Sequence, residues 1–199
     1  MKDSGETPKL DYVVLQSFRD EKEGLDSPYA VYARKFAKDI KEHGAKPILY
    51  LTEFYGLNSN PLAEPPDPKP VMEQARYQAA LANEMDALVV PMPLAVLKLL
   101  QKRPDLTLRY SDNSHLNQIC AYLTACCFYA AMFDKSPVGL SVREINNPAF
   151  VGKMARDPDG HPKNVVFPDD LATVLQETAW EAVSEMNALR RQLAKEEPR

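Results

Sequence analysis

Residues 10–52 run strand, helix, strand within about 40 residues, and that succession leaves few folds open. Residues 10–16 read LDYVVLQ, a short apolar run rich in β-branched residues, and the polar stretch SFRDEKEGLDS follows. This is the pattern of a buried strand entering a loop. Asp26 or Ser27 can then cap a helix with Pro28 at its first position. Tyr29, Tyr32, Ala33, Phe36, Ala37 and Ile40 recur at helical spacing, and Gly44 ends the run. PILYLT, residues 47–52, supplies the second strand. The unit predicts a parallel sheet with a right-handed crossover.

The rest of the chain continues the alternation. PLAEPPDPKP, residues 61–70, carries five prolines and is expected to be a stiff extended loop over the sheet's edge or active face. Residues 71–83 form a helix by pattern, DALVVPM (86–92) a third strand stopped by Pro91, and residues 94–101 a short helix. LNQICAYLTACCFYAAMF, residues 116–133, is apolar nearly all round, so this helix is expected to be buried against the sheet. Within it Tyr122, Cys126, Tyr129 and Phe133 fall at helical spacing and read as core. Residues 146–170 hold the turn signals NNP and DPDG and read as mostly irregular. A final helix covers residues 169–193, with Leu171, Val174, Leu175, Ala179, Ala182, Val183 and Met186 on one face.

Composition removes several function classes. Only 7 of the 199 residues are glycine and they never cluster, so GxGxxG, GxxxxGK and GxSxG are all absent. Rossmann-type dinucleotide binding, P-loop chemistry and an α/β-hydrolase elbow are disfavoured. A net charge of −4 offers no footprint for a nucleic-acid backbone. Lys35, Lys38 and Lys41 alternate with Asp39 and Glu42 as a solvated helix face. Cys120, Cys126 and Cys127 show no metal-ligand spacing and read as buried free thiols. No run of 18 apolar residues occurs, so no membrane contact is expected.

Of the three histidines, His43 precedes Gly44 where its cation suits a helix C-terminus, and His161 lies in the turn DPDGHP. His115 differs. It stands three residues after Asp112 at the entrance to the apolar helix, on the side of an open α/β sheet where ligands bind. A D-x-x-H turn lets the carboxylate hold Nδ1–H and leaves Nε2 to take a proton from a hydroxyl. The competing reading is structural: Asp112 as the helix N-cap, His115 as a satisfied neighbour.

The wider sequence resembles a known family. DYVVLQ, YARKFAKDIKEHGAKPILYLT and LRYSDNSHLNQICAYLTACCFYAAMFDKSPVGL are similar to the blocks of a poorly characterised bacterial branch of the SGNH (GDSL-like) hydrolases. The blocks are a strand ending in VLQ, a second strand after a glycine-ended helix, and a D-x-x-H turn running into a long helix closed by SPVG. The resemblance covers residues 10–140. It implies a single domain over 1–199, with core 10–140 and an irregular segment plus helix at 141–199. The implied fold is a three-layer α/β/α flavodoxin-like parallel sheet of strand order 2-1-3-4-5. The implied activity is hydrolysis of acyl esters, carbohydrate esters among them, by a serine nucleophile with no metal or organic cofactor. His115 is then similar to the catalytic base and Asp112 to its orienting acid. Gln16 is similar to an oxyanion-hole amide, with a strand-end residue bonded to a loop as the alternative. Ser17 lies beside it, and Phe54 or Tyr55, where family strands often end in tryptophan, would line the substrate cleft.

One family element has no counterpart. The nucleophilic serine belongs to a G-D-S or G-N-S turn upstream of the VLQ strand, and Ser4 in Lys2-Asp3-Ser4-Gly5 has no strand before it. The expectation is a sheet lacking its first one or two strands, with LDYVVLQ an exposed edge prone to poor solubility or to homodimer formation. Two readings of function follow. One is an SGNH-type ester hydrolase, or the C-terminal portion of one, acting on a small-molecule or carbohydrate ester. The other is a catalytically inactive relative or binding module. The opening residues MKDSGETPKL hold no apolar leader, but family members are frequently exported, so the compartment stays open.

Overall fold

The computed structural model describes residues 9–17, 24–51, 57–146, 156–162 and 164–196. Its sheet is parallel and three-stranded, β1 (Tyr12–Ser17), β2 (Lys46–Leu51) and β3 (Leu88–Val90), in the order β1-β2-β3. Tyr12 registers with Lys46, and Ile48 with Leu88. The crossover helices are α1 (Pro28–Glu42) and α2 (Pro68–Met85). The sheet is followed by α3 (Met92–Lys102), α4 (Gln118–Phe133), a small antiparallel pair β4 (Glu144–Asn146) and β5 (Asn164–Val166), and α5 (Asp169–Glu196). Mixed α/β structure with a parallel sheet is therefore present, and β1 stands at the sheet's edge.

Local chemistry explains most of the boundaries. Ser27 caps α1, its Oγ accepting from the Ala30 N–H at 3.1 Å, and Pro28 occupies the first helical position, which needs no N–H. At the other end His43 is the C-cap, with its Nδ1 2.8 Å from the Asp39 carbonyl, and Gly44 takes φ +78°. The proline-rich stretch is only partly loop. Asp67 accepts from the Lys69 N–H at 2.9 Å and α2 opens at Pro68, so Pro68 and Pro70 sit in a first turn where missing donors cost nothing. The third strand is shorter than its apolar run suggests, because Pro91 breaks the ladder and α3 starts at Met92. The irregular C-terminal segment contains the β4–β5 pair, which its turn-rich sequence concealed.

The sheet is covered on both faces. α1 and α2 pack on one, while α4 lies on the other, where Phe128 meets Tyr50 at 5.3 Å between ring centroids and the Tyr12 hydroxyl reaches the Met132 carbonyl. α5 packs against α2, α3, α4 and β3, and so closes the β3 side. Lys102 pairs with Glu181 at 2.8 Å, and Asn83 exchanges two hydrogen bonds with Arg190. α4 is less enclosed than its all-apolar sequence predicts. Tyr122 and Cys126 are buried, but Phe133, in the last turn, is 54% exposed and meets only the Tyr129 ring, at 5.2 Å, among the ring contacts of the described residues. The three cysteines are free and buried, and burial pushes the Cys120 thiol up to about 12, which makes it a poor nucleophile.

Two buried glutamines behave in opposite ways. Gln176 on α5 donates to the Tyr122 hydroxyl at 2.8 Å and the Leu140 carbonyl at 3.1 Å, and accepts from the Gly139 N–H at 3.0 Å. It thereby fastens the SPVG turn to the core. Gln78 on α2 is equally buried and its amide has no hydrogen-bond partner among the described residues. Replacing a fully used amide strands its partners, at about 1–3 kcal/mol, whereas replacing an unused one removes a desolvation penalty. Gln176→Leu is expected to lower the free energy of unfolding in a urea titration by that amount, and Gln78→Leu to leave it unchanged or raise it.

Candidate functional site

The Asp112–His115 turn is built by its backbone. Residues 106–110 follow α3 outside regular secondary structure, and Arg109 bridges Leu116 in antiparallel fashion. The Tyr110 N–H donates to the His115 carbonyl at 3.0 Å, and the Asn113 N–H to the Tyr110 carbonyl at 2.9 Å. Asn113 takes φ +52°, a left-handed conformation that asparagine tolerates better than most residues. Tyr110, almost wholly buried, anchors the turn below. The Asn58 carbonyl accepts from the N–H groups of Leu108 and Arg109, and the Asn58 side-chain amide donates to the Leu106 carbonyl at 2.9 Å. Asn117 closes the far end: its Oδ1 caps α4 through the Cys120 N–H, and its Nδ2 donates to the Thr107 carbonyl. The N-cap of α4 is thus Asn117 and not Asp112.

Freed from that duty, Asp112 is spent on the turn itself. Its Oδ1 accepts the N–H groups of Ser114 (2.9 Å) and His115 (3.0 Å), and its Oδ2 lies 2.7 Å from His115 Nδ1. The His115 side chain is 66% exposed and that of Asp112 34%. The imidazole's hydrogen bond, joined by the two backbone donors, holds the Asp112 carboxyl down at about 2, below the ordinary carboxylate range.

The pair lies on the carboxyl side of the sheet. Met132, late in α4, meets Tyr12 at the start of β1, while Phe128 one turn earlier meets Tyr50 near the end of β2. α4 therefore runs against the strands, and its N-terminus with His115 lies toward their carboxyl ends. Gln16 is also near a carboxyl end, exposed on β1, but it borders a groove formed with Tyr29, Tyr32 and Phe36 of α1. Among the described residues no contact joins it to His115. Ser17 closes β1, and its side chain lies outside the described residues, as do Phe54 and Tyr55.

A second Asp–His pair escaped the sequence. His161 is exposed, as its turn suggested, but Asp157 beneath it is buried. Asp157 Oδ1 accepts the N–H groups of Asp159 (3.0 Å) and His161 (2.8 Å). Its Oδ2 accepts from Gln118 Nε2 at 3.2 Å and stands 3.9 Å from His161 Nδ1. These residues line a cleft of about 330 Å³ whose other wall includes Tyr110, Asn117 and Ile119. The Ser111 N–H donates to Asp159 Oδ1 at 2.8 Å, which ties the Asp112–His115 turn to the rim of that cleft. The spacing DPDGH was visible as a turn; the burial of its first aspartate depends on Gln118, 39 residues away, and was not.

Chemically, the first pair can orient an imidazole for proton transfer, and the cleft beside it offers acceptors at one end and apolar walls at the other. Among the described residues no group of three or more His, Cys, Asp or Glu side chains is placed to hold a metal ion, and no helix is long and apolar enough to cross a membrane. No family model, no curated protein and no solved structure matches the chain.

A carboxylate held low by its partners favours the charged form in the folded chain. Its contribution is complete above the ordinary carboxylate range and is lost as pH falls through about 2. The Asp112 carboxyl carbon is expected to titrate by NMR near that value, and His115→Ala to move the midpoint upward. An unchanged midpoint in the variant would show that the ring is not its main partner.

Proposed function

We propose that this chain carries the base half of a serine ester hydrolase of the SGNH type. The observation that supports it is the 2.7 Å contact between Asp112 Oδ2 and His115 Nδ1, on a turn at the carboxyl side of a parallel sheet. In this reading Asp112 fixes the tautomer, and His115 Nε2 accepts a serine hydroxyl proton and returns it to the departing alcohol. Gln16 serves as an amide donor to the oxyanion, and no metal or organic cofactor takes part. The neighbouring cleft with Asp157 and Gln118 receives the hydroxyl-bearing side of a small ester, a carbohydrate ester among the candidates. The simple strand order, with both crossover helices on one face, is compatible with a stretch of a flavodoxin-like sheet. The reading requires a serine hydroxyl within hydrogen-bond reach of His115 Nε2.

A specific observation favours the second reading, an inactive relative or binding module. Asp112 Oδ1 is engaged in holding its own turn, and the sequence contains no G-D-S or G-N-S. One experiment separates them. The purified chain is assayed on p-nitrophenyl acetate and labelled with a fluorophosphonate, and the modified residue is mapped by mass spectrometry. The hydrolase reading expects turnover and one labelled serine, with turnover reduced by roughly 10²–10⁴-fold in His115→Ala. A folded chain with neither turnover nor label supports the binding module instead.

A further inference from the structure

We propose that the open edge of β1 is the docking surface for a second copy of this chain, paired antiparallel about a two-fold axis near Val14. The hydrogen bond from the Lys46 N–H to the Asp11 carbonyl sets the alternation along the strand. Asp11, Val13 and Leu15 direct their backbone groups at β2, while Tyr12, Val14 and Gln16 direct theirs outward. Among the described residues no strand meets them. The edge is apolar as well, with Val14 43% exposed and Leu10 57%. Such an edge takes up another strand unless something blocks it, and none of the usual devices of proline, bulge or lysine stands within YVVLQS.

The flanking surface indicates which strand. Two grooves, of about 440 and 460 Å³, run beside β1 and are walled by one stripe of α1: Tyr29, Tyr32 and Phe36 in the first, Asp39, Ile40 and His43 in the second. Tyr32 and Phe36 are each more than half exposed. The stripe is self-complementary. At its N-terminal end Lys35 Nζ lies 5.1 Å from the centre of the Tyr32 ring, and one turn beyond Lys35 stands Asp39. A two-fold axis just past Phe36, at the level of Ala37, brings the two copies of Phe36 together and sets Lys35 against the partner's Asp39, twice over. A parallel arrangement would instead oppose like charges. The product is a continuous sheet, β3-β2-β1 followed by its inverted copy, closed at both ends by α5.

The test is the oligomeric state of the full chain by sedimentation velocity, with hydrogen exchange as a second measurement. The expected result is a concentration-dependent dimer in which the Tyr12, Val14 and Gln16 amides gain protection as the dimer forms. Val14→Pro removes an outward N–H without touching the β2 ladder and should weaken the dimer at least roughly tenfold, since each copy loses a bond. Asp39→Lys should also weaken it, and the double swap Lys35→Asp/Asp39→Lys should restore it. The proposal is overturned by a monomer at every accessible concentration, by open-ended assemblies, by a dimer indifferent to Val14→Pro, or by exchange protection confined to other elements. It is equally overturned if the swap fails to restore association in a chain whose circular dichroism is unchanged.

Discussion

A parallel sheet must bury both of its faces, because its crossovers place helices there and its strands are apolar on each side. Among the described residues the sheet has three strands, so the helices do most of the enclosing. α1 and α2 follow from the crossovers, but the opposite face has no such automatic cover. α4 provides it, and this explains why its sequence is apolar nearly all round: one side meets the sheet through Phe128, another meets α5. α5 then joins the two layers on the β3 side. Among the described residues the β1 side has no equivalent of α5, and the two edges therefore differ.

The same arrangement places the candidate site. α4 runs against the strands, so its N-terminus emerges at the carboxyl side, and the turn capped by Asn117 presents Asp112 and His115 there. The turn is held by local interactions, with a buried tyrosine beneath it, an asparagine in the left-handed region and the Asp112 carboxylate on two of its N–H groups. The second wall comes from residues 156–162, far along the chain, and one N–H from Ser111 joins the two. Histidine geometry alone does not make a hydrolase. What distinguishes this pair is that Asp112, relieved of capping α4, has its second oxygen available for the ring.

Much of this was legible in the sequence. The strand–helix–strand unit, the Ser27–Pro28 start of α1, the Gly44 stop and the Asp112–His115 pairing all rest on interactions a few residues apart. The losses have a common cause. Pro68 and Pro70 look like loop residues unless one knows that Asp67 caps a helix over them, and the three-residue strands β4 and β5 gain their identity only from each other. Phe133 shared the periodicity of the core but lies in the last turn of its helix and is more than half exposed. Asp157 is buried by a glutamine on another element, and the groove beside Gln16 depends on how α1 packs. None of these is encoded at helical or strand spacing.

α5 carries a consequence for how the chain reaches this state. It is the last element in sequence, yet it touches α2, α3 and α4 and, through Gln176, locks the turn that follows α4. Its partner Asn83 is 107 residues upstream of Arg190. The layers on either side of the sheet therefore cannot be joined until α5 has been synthesised, and the closing contacts reach across much of the sequence. Non-local closure of this kind slows folding, because loop entropy is lost before the contacts return it. On the ribosome the apolar faces of α3 and α4 would wait uncovered until α5 emerges, and how long they wait is set by the distance between α5 and the elements it joins.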